Sequence, residues 1–415
     1  MTSTLLALRC LRCGTSSAFP GSAGCAPCSA QGSPAALTTV YDLDAAAGVF
    51  DPATLVGRPW GPARYRELLP PGADRVALAG GPTPLVPLER LAAHLGLRSV
   101  WLKDESRNAT WSFKDRAAVA AAGSALDDGA AGLVVSSTGN AAAATAAFAA
   151  AAGLPAVVVV SVGVDPLMAG FVGSYGARIF AAPTKADRWT LMRHCVEEHG
   201  YYPNSNYTDP PVGNDPRAVD GYKVIAYEIW EQLGRRAPAV VATPIGYGDG
   251  VHALVEAFRE LDAVMGAGRP RMVCGEVYGS LAEAMRNGRD VVGRVAVDRP
   301  TVASSIATAQ STYRALRAVR TSHGQVVQVD DDAILAAHRL LVRCEGVLAE
   351  AASAAGLAAL QAAVAGGTVG RDDDVVLVNT SAGIKSVVAL GLLDHEPPRV
   401  ADLSALDAAL AESPA

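Results

Sequence analysis

Six short apolar runs, each leading into a polar or glycine-rich turn or a helical stretch, constrain this chain more than any other feature. They are Ser99-Val100-Trp101-Leu102, Gly132-Leu133-Val134-Val135, Ala156-Val157-Val158-Val159-Val160, Ala239-Val240-Val241-Ala242, Met272-Val273-Cys274-Gly275-Glu276-Val277 and Val375-Val376-Leu377-Val378. Runs that are continuous and not alternating suit strands buried on both faces, as in parallel sheets covered by helices. Stretches with apolar periodicity, such as Leu88 to Leu95, Ile334 to Val342 and Ala351 to Ala363, supply those helices. The expected class is therefore α/β, built on open parallel sheets. Such sheets bind ligands beyond the carboxyl ends of their strands, so the strand-to-helix turns are where chemistry is expected.

A chain of 415 residues accommodates two or three domains. With 50% of residues hydrophobic and 18% charged, it has the balance of a packed globular protein. A net charge of −6 argues against nucleic acid or an anionic membrane as the main partner. The alanine-rich run from Asn140 to Gly153 is too short and too weakly hydrophobic to span a bilayer, and reads as a buried helix. Met1 to Arg9 has no basic region ahead of its apolar part and meets a cysteine pair at once, unlike a signal peptide. A cytoplasmic protein is expected.

Four of the seven cysteines fall early, as Cys10-x-x-Cys13 and Cys25-x-x-Cys28. Two such pairs let two tight turns converge on one tetrahedral zinc, and with sulfur in all four positions that zinc is structural. Disulfides are the alternative, disfavoured in a cytoplasmic chain. Cys195, Cys274 and Cys344 lie in apolar surroundings and read as core residues.

The candidate chemistry sits in one lysine segment and four turns. Asn108-Ala109-Thr110-Trp111-Ser112-Phe113-Lys114-Asp115-Arg116 opens an alanine-rich helix from about Arg116 to Ala122, with Ser112 as its expected cap. Lys114 then falls in the first turn, where the helix dipole favours the neutral amine that attacks an aldehyde to form a Schiff base. The ordinary alternative is a surface lysine. Ser136-Ser137-Thr138-Gly139-Asn140 precedes a helix from Ala141, and its hydroxyls and N–H groups suit a carboxylate or serve as a plain cap. Asn140 also suits a phenolic oxygen. Asn204-Ser205-Asn206 precedes a proline-rich loop that delivers Arg217 and Lys223, polar groups able to hold an anion or merely to decorate a surface loop. Gly246-Tyr247-Gly248-Asp249-Gly250-Val251 lets the backbone wrap a monophosphate, and its spacing matches neither a Walker A nor a dinucleotide loop. Asn379-Thr380-Ser381-Ala382-Gly383-Ile384-Lys385 places hydroxyls at a strand end, where they can bond a ring nitrogen or cap a turn.

Together these segments resemble the fold type II enzymes that use pyridoxal 5'-phosphate, and among them the threonine synthase family, from about Gly80 to Lys385. Glu345-Gly346 and Glu350-Ala351-Ala352-Ser353-Ala354-Ala355 are similar to the family's EG…E-A-S-A-A helix, and Thr380 to Lys385 is similar to its T-G-H-G-L-K. The resemblance implies that Lys114 is the catalytic, cofactor-bearing lysine. It implies further cofactor contacts from Phe113, Asn140, Gly246, Tyr247, Gly248, Asp249, Gly250, Val251 and Thr380, with Asn140 on the phenolic oxygen and Thr380 facing the pyridine nitrogen. Ser137, Thr138, Gly139, Asn204, Ser205, Arg217 and Lys223 would surround an amino acid substrate. The implied architecture is tryptophan synthase β-like: a large cofactor-binding domain from 36–98 and 208–402, a small inserted domain at 99–207 and a zinc ribbon at 1–35, in a homodimer.

The chain departs from the family where substrate, not cofactor, should sit. Trp111 stands where a glycine is usual and should narrow the site; Ala141 replaces a threonine that helps bind substrate phosphate; Ala382 replaces the histidine of T-G-H-G. The loop from Asn206 to Arg217 is also longer. The expected reaction is elimination and water addition on O-phosphohomoserine or a relative of it. The alternatives are β-replacement or deamination of a serine- or threonine-like substrate, and a non-catalytic relative that kept the fold.

Overall fold

The computed structural model describes residues 3–17, 21–76 and 81–394, together with 403, 404, 406 and 409. Gly80 and the end of the expected large domain, 395–402, lie outside the described residues.

The strands are β1 (Leu5–Cys10), β2 (Ser16–Ser17), β3 (Leu37–Tyr41), β4 (Leu85–Pro87), β5 (Ser99–Asp104), β6 (Leu133–Ser136), β7 (Ala156–Ser161), β8 (Arg178–Ala182), β9 (Tyr202–Pro203), β10 (Val240–Pro244), β11 (Arg271–Glu276), β12 (Gln325–Gln328) and β13 (Asp374–Asn379). They form three sheets: an antiparallel one in the order β2-β1-β3, a six-stranded one in the order β12-β11-β10-β13-β5-β4, and a four-stranded one in the order β8-β7-β6-β9. The four-stranded sheet is parallel throughout, and the six-stranded one is parallel except for β4. Pro84 and Pro87 flank or end β4, which suits an edge strand with few ladder donors.

Two expected boundaries move. β3 completes the N-terminal sheet, so the ribbon runs past residue 35 to Tyr41. β5 pairs with β13, Val100 opposite Val375, so Ser99–Asp104 belongs to the six-stranded sheet and not to the smaller unit.

Continuous apolar runs do go to doubly covered strands. Val241, Val376 and Val378 pack on one face of the large sheet with the helices Lys223–Gln232, Asp249–Met265 and Tyr313–Thr321. Val240, Ala242, Val375 and Leu377 pack on the other with Asp331–Glu345 and Ala351–Ala365. In the small sheet Val134, Val157 and Val159 meet Trp189 and Met192 of the helix Lys185–His199. Val135, Val158 and Val160 meet the helices Asn140–Ala151 and Pro166–Ser174. Among the described residues no helix is long and apolar enough to cross a membrane.

A buried charge network underlies the lysine helix. Arg116 donates to Glu228 at 2.8 Å and to Glu105 at 2.9 Å, Lys103 reaches Glu228 at 2.7 Å, and the Thr83 hydroxyl donates to Glu105 at 2.6 Å. Mutual pairing is what makes these buried charges tolerable. The network ties β5 and the helix Lys223–Gln232 to the helix that begins at Lys114.

Candidate active site

The carboxyl ends of both parallel sheets face one cleft of about 930 Å3. Lys114, Ser137, Thr138, Gly139, Asn140, Asn204, Ser205, Gly246, Tyr247 and Asp249 all line it. Segments 137–140, 204–205 and 246–249, remote in sequence, thus meet around one amine.

The lysine helix spans Lys114–Asp128, longer than expected at both ends. Ser112 does not cap it. Phe113 occupies the N-cap position in an αR backbone, and the Ser112 hydroxyl is buried without a hydrogen-bond partner. The segment is instead stitched to the end of β13: Phe113 N–H donates to the Thr380 carbonyl at 2.8 Å, and Ala382 N–H to the Trp111 carbonyl at 3.1 Å. Asp115 accepts from Thr110 N–H at 2.7 Å, and Arg116 is held by the network below. Both neighbours of Lys114 are therefore locked. Its Nζ lies 4.6 Å from the Phe113 ring centre and 5.6 Å from that of Tyr222. Burial pulls the Lys114 ammonium below its ordinary pKa, against the opposing charges of Asp249 and Glu350.

Beyond β6, Gly139 N-caps the helix Asn140–Ala151, and Gly139 N–H donates to Ser137 Oγ at 3.3 Å. Asn140 Nδ2 donates to Glu350 at 2.6 Å, and its Oδ1 accepts from Lys385 at 2.9 Å. Among the described residues the second N–H of its amide has no acceptor. Burial pushes the Lys385 amine down to about 8, with Asp115 and Glu350 opposing.

The glycine turn ends in Gly248, which N-caps the helix Asp249–Met265 at φ +84. Any Cβ there would stand 2.3 Å from the Ala315 methyl, so only glycine fits both the backbone and the space. The first N–H groups of a helix have no acceptor within it, so Asp249, Gly250 and Val251 offer donors to an anion. The Asp249 carboxylate faces elsewhere: it takes Arg314 Nη1 at 2.5 Å and the Asn214 N–H at 3.3 Å. Gly250 packs on the Phe113 ring, where an added Cβ would come within 3.0 Å.

Ser353, on the helix Ala351–Ala365, fixes Thr380. Its Oγ accepts from the N–H groups of Thr380 and Ser381, each at 3.1 Å, and lies 2.7 Å from Thr380 Oγ1. With both lone pairs taken, the Ser353 proton goes to Thr380, whose own O–H remains a donor.

Two expected substrate contacts are corrected. Arg217 does not line the cleft; its guanidinium grips Asp128 at 2.9 and 2.6 Å. Lys223 is buried away from it on Glu260 at 2.8 Å and Asp220 at 3.1 Å. Gly221 between them is needed because its backbone crosses the lysine helix, where a Cβ would fall 1.9 Å from the Arg116 carbonyl oxygen. Asn204 and Ser205 do reach the cleft: Asn204 Nδ2 donates to Thr145 at 2.9 Å, and Ser205 Oγ takes the Ser136 N–H at 2.9 Å.

The four early cysteines converge, with all sulfurs within 4.8 Å of one another. Cys10 and Cys28, and Cys13 and Cys25, are 3.7 Å apart. A tetrahedral zinc with bonds of about 2.3 Å holds its sulfurs about 3.8 Å apart. The cluster fits that metal.

Sequence reasoning missed Glu350, Ser353, Lys385 and Arg314 as individual actors, although three of them lie in stretches it singled out. It also missed the partner of Trp111. That residue sits at φ +60 and stacks on Phe171 of the helix Pro166–Ser174, ring centres 5.4 Å apart and planes at 22°. The glycine usual at this position answers to a left-handed backbone, which the tryptophan adopts under strain.

The family described as Pyridoxal-phosphate dependent enzyme matches residues 76–381. A threonine synthase of Methanosarcina acetivorans is 31% identical over 334 residues, 78% of this chain and 79% of that protein. One of Halalkalibacterium halodurans is 34% identical over 342 residues, 80% of this chain and 92% of that protein. Among solved structures, the processed form of threonine deaminase isoform 2 from Solanum lycopersicum superposes with a TM-score of 0.64 at 19% identity, covering 77% of this chain and 89% of that one.

Proposed function

The chain belongs to the family of pyridoxal-phosphate dependent enzymes, and from that premise we propose a threonine-synthase-like lyase acting on O-phosphohomoserine or a related amino acid by elimination and water addition. The observation that carries the reading is Lys114: an amine held below its ordinary pKa on the wall of the cleft, between a hydroxyl-lined turn and a glycine turn.

Pyridoxal phosphate, when bound, supplies an aldehyde for the amine and a ring that withdraws electrons from the substrate. Lys114, as a neutral amine, takes the proton from the substrate's Cα and returns protons to the neighbouring carbons as general base and acid. The hydroxyls and N–H groups of Ser137, Thr138 and Gly139 hold the substrate carboxylate, with Asn204 and Ser205 beside them. The second N–H of Asn140 is left for the phenolic oxygen, and Glu350 orients that amide. Gly246 to Gly248 and the N–H groups of Asp249, Gly250 and Val251 receive the phosphate. The Thr380 hydroxyl, hydrogen-bonded to Ser353, would donate to the ring nitrogen. Zinc in the cysteine cluster is part of the same proposal, as are a division into one domain around each parallel sheet and a homodimeric assembly.

The test is a panel of O-phospho-L-homoserine, L-serine and L-threonine with phosphate, ammonia and amino acid products measured. Phosphate release with formation of a β-hydroxy amino acid is expected. Ammonia from L-serine or L-threonine without phosphate release would place the chain with the deaminases. Borohydride reduction should label Lys114; a label on another lysine, or a chromophore that survives Lys114→Ala, overturns the cofactor assignment.

A further inference from the structure

We propose that Lys185 and Arg188, not Arg217 or Lys223, form the anion-binding wall of the cleft, and that this wall receives a dianionic phosphate carried on the side chain of the amino acid substrate. The proposal rests on the lyase reading above and names the residues that select its substrate.

Both side chains line the cleft from the first turn of the helix Lys185–His199, three positions apart and hence on one face. Thr184 and Asp187 close that turn in a capping box, with the Asp187 carboxylate spent on Thr184 N–H at 3.1 Å and its hydroxyl at 2.7 Å. The one acid between the two cations is therefore engaged, and the turn that carries them is held. Among the described residues neither cation forms an ion pair. Lys185 Nζ lies 5.2 Å from the ring centres of Trp189 and of Tyr247. Arg188 Nε is buried with no hydrogen-bond partner, and so is the Tyr247 hydroxyl on the glycine turn. Burial lowers the Arg188 guanidinium, opposed only by Tyr247.

Apart from Lys114, assigned to the cofactor, the other charges at the cleft are committed. Asp249 is on Arg314, Lys385 is on Asn140, and Asp165 caps its own helix through Leu167 N–H at 2.8 Å. Glu350 accepts from Asn140 and Ser305. Two cations without ion pairs, Arg188 partly buried and Lys185 exposed, stand beside an unpartnered buried hydroxyl and are stabilised by a ligand that brings negative charge and acceptor oxygens. The wall also adjoins the carboxylate turn: Met192, one helical turn beyond Arg188, touches Ser205 Oγ at 3.3 Å, and Ser205 takes the Ser136 N–H. A short amino acid with its carboxylate on Ser137 to Gly139 and a phosphate on its side chain spans the two.

The experiment compares O-phospho-L-homoserine with L-homoserine on the holoenzyme, following the absorbance of the bound cofactor. The wild type should favour the phosphorylated ligand at least about tenfold, and Arg188→Gln or Lys185→Gln should each reduce that preference by about tenfold, the loss of one charge-assisted bond. Arg188→Lys should restore part of it. Affinity for L-homoserine and for the cofactor should stay within about twofold in all three variants, the small change expected when only a phosphate contact is lost. The wall is overturned if Arg188→Gln keeps the preference, if it loses the cofactor instead, if Arg217→Gln abolishes the preference, or if the wild type shows none while responding normally to L-homoserine. A protein that holds no cofactor on Lys114 and responds to neither ligand overturns the lyase reading, and the wall with it.

Discussion

Arg314 Nη1 lies 2.5 Å from Asp249 Oδ1, at the first turn of the helix that follows the glycine turn. The same guanidinium donates to the Leu37 carbonyl in β3 and the Asn214 carbonyl, each at 3.0 Å. Thr38, next in β3, bonds His252 of that helix at 3.1 Å. The cysteine ribbon is thus wired to the donors proposed to receive the cofactor phosphate.

Arg314→Ala leaves Asp249 without its charge partner and two carbonyls without a donor. Removing one member of a buried pair costs about 3–5 kcal/mol. Urea unfolding should show a loss of that order, and the variant should release its cofactor faster than the wild type.

Stripping the proposed zinc should have the same signature at a distance. Strong chelation, or Cys28→Ser, is expected to loosen the ribbon and weaken cofactor retention in proportion to the metal lost. Full retention in a metal-free protein would break the link between β3 and the glycine turn.

Lys114→Met should stabilise the cofactor-free protein near neutral pH, where burial penalises the charged form of the wild-type amine. The folded amine titrates below the free-lysine value of 10.5. Between those two values the unfolded chain binds a proton that the folded one does not, so wild-type stability rises with pH through that window. The variant's advantage should therefore shrink as pH rises and vanish above the free-lysine value. Thermal melts of both apoproteins across pH 7 to about 10.5 measure it.

Gly221→Ala should be among the most disruptive single changes, since its methyl would overlap the Arg116 carbonyl. The backbone must shift at the crossing that holds Lys114, so a loss of about 3 kcal/mol or more is expected with little soluble product.

Trp111→Gly should change specificity more than stability. Relief of left-handed strain gains about 1–2 kcal/mol. Loss of the Phe171 stack removes about 0.5–1.5 kcal/mol, and glycine's added freedom about 0.5–1 kcal/mol. The net should fall between a gain of about 1 and a loss of about 1.5 kcal/mol. With the cleft mouth widened, kcat/KM should rise for amino acids with larger side chains.

Most of the scaffold was legible because its strands are buried on both faces, which leaves an unbroken apolar run such as Ala156 to Val160. Short or mixed strands were not: β4, β8 and β12 carry prolines, charges or glutamines and pair only because neighbours are already in place. The turns at Ser137 and Gly246 were legible because they follow β6 and β10 at once, where a strand gives way to a helix. Arg217 and Lys223 misled because direction is a long-range property. Asp128 and Glu260, which hold them at 2.9 and 2.8 Å, lie 89 and 37 positions away, and local spacing reveals neither, although the Asp220 contact of Lys223 is local. Lys185 and Arg188 carry no recognisable spacing at all, and only the fold brings them to the cleft.

The linked charges of Lys103, Glu105, Arg116 and Glu228 set the tempo at which this protein can diverge. Exchanging any one of them strands its companions, so the quartet can be replaced only as a block, and a lineage seldom makes four substitutions together. Trp111 and Ile384 at the cleft's rim are 47% and 60% exposed and can be swapped singly. Evolution can therefore rework what enters the cleft while the amine at its wall is kept in register.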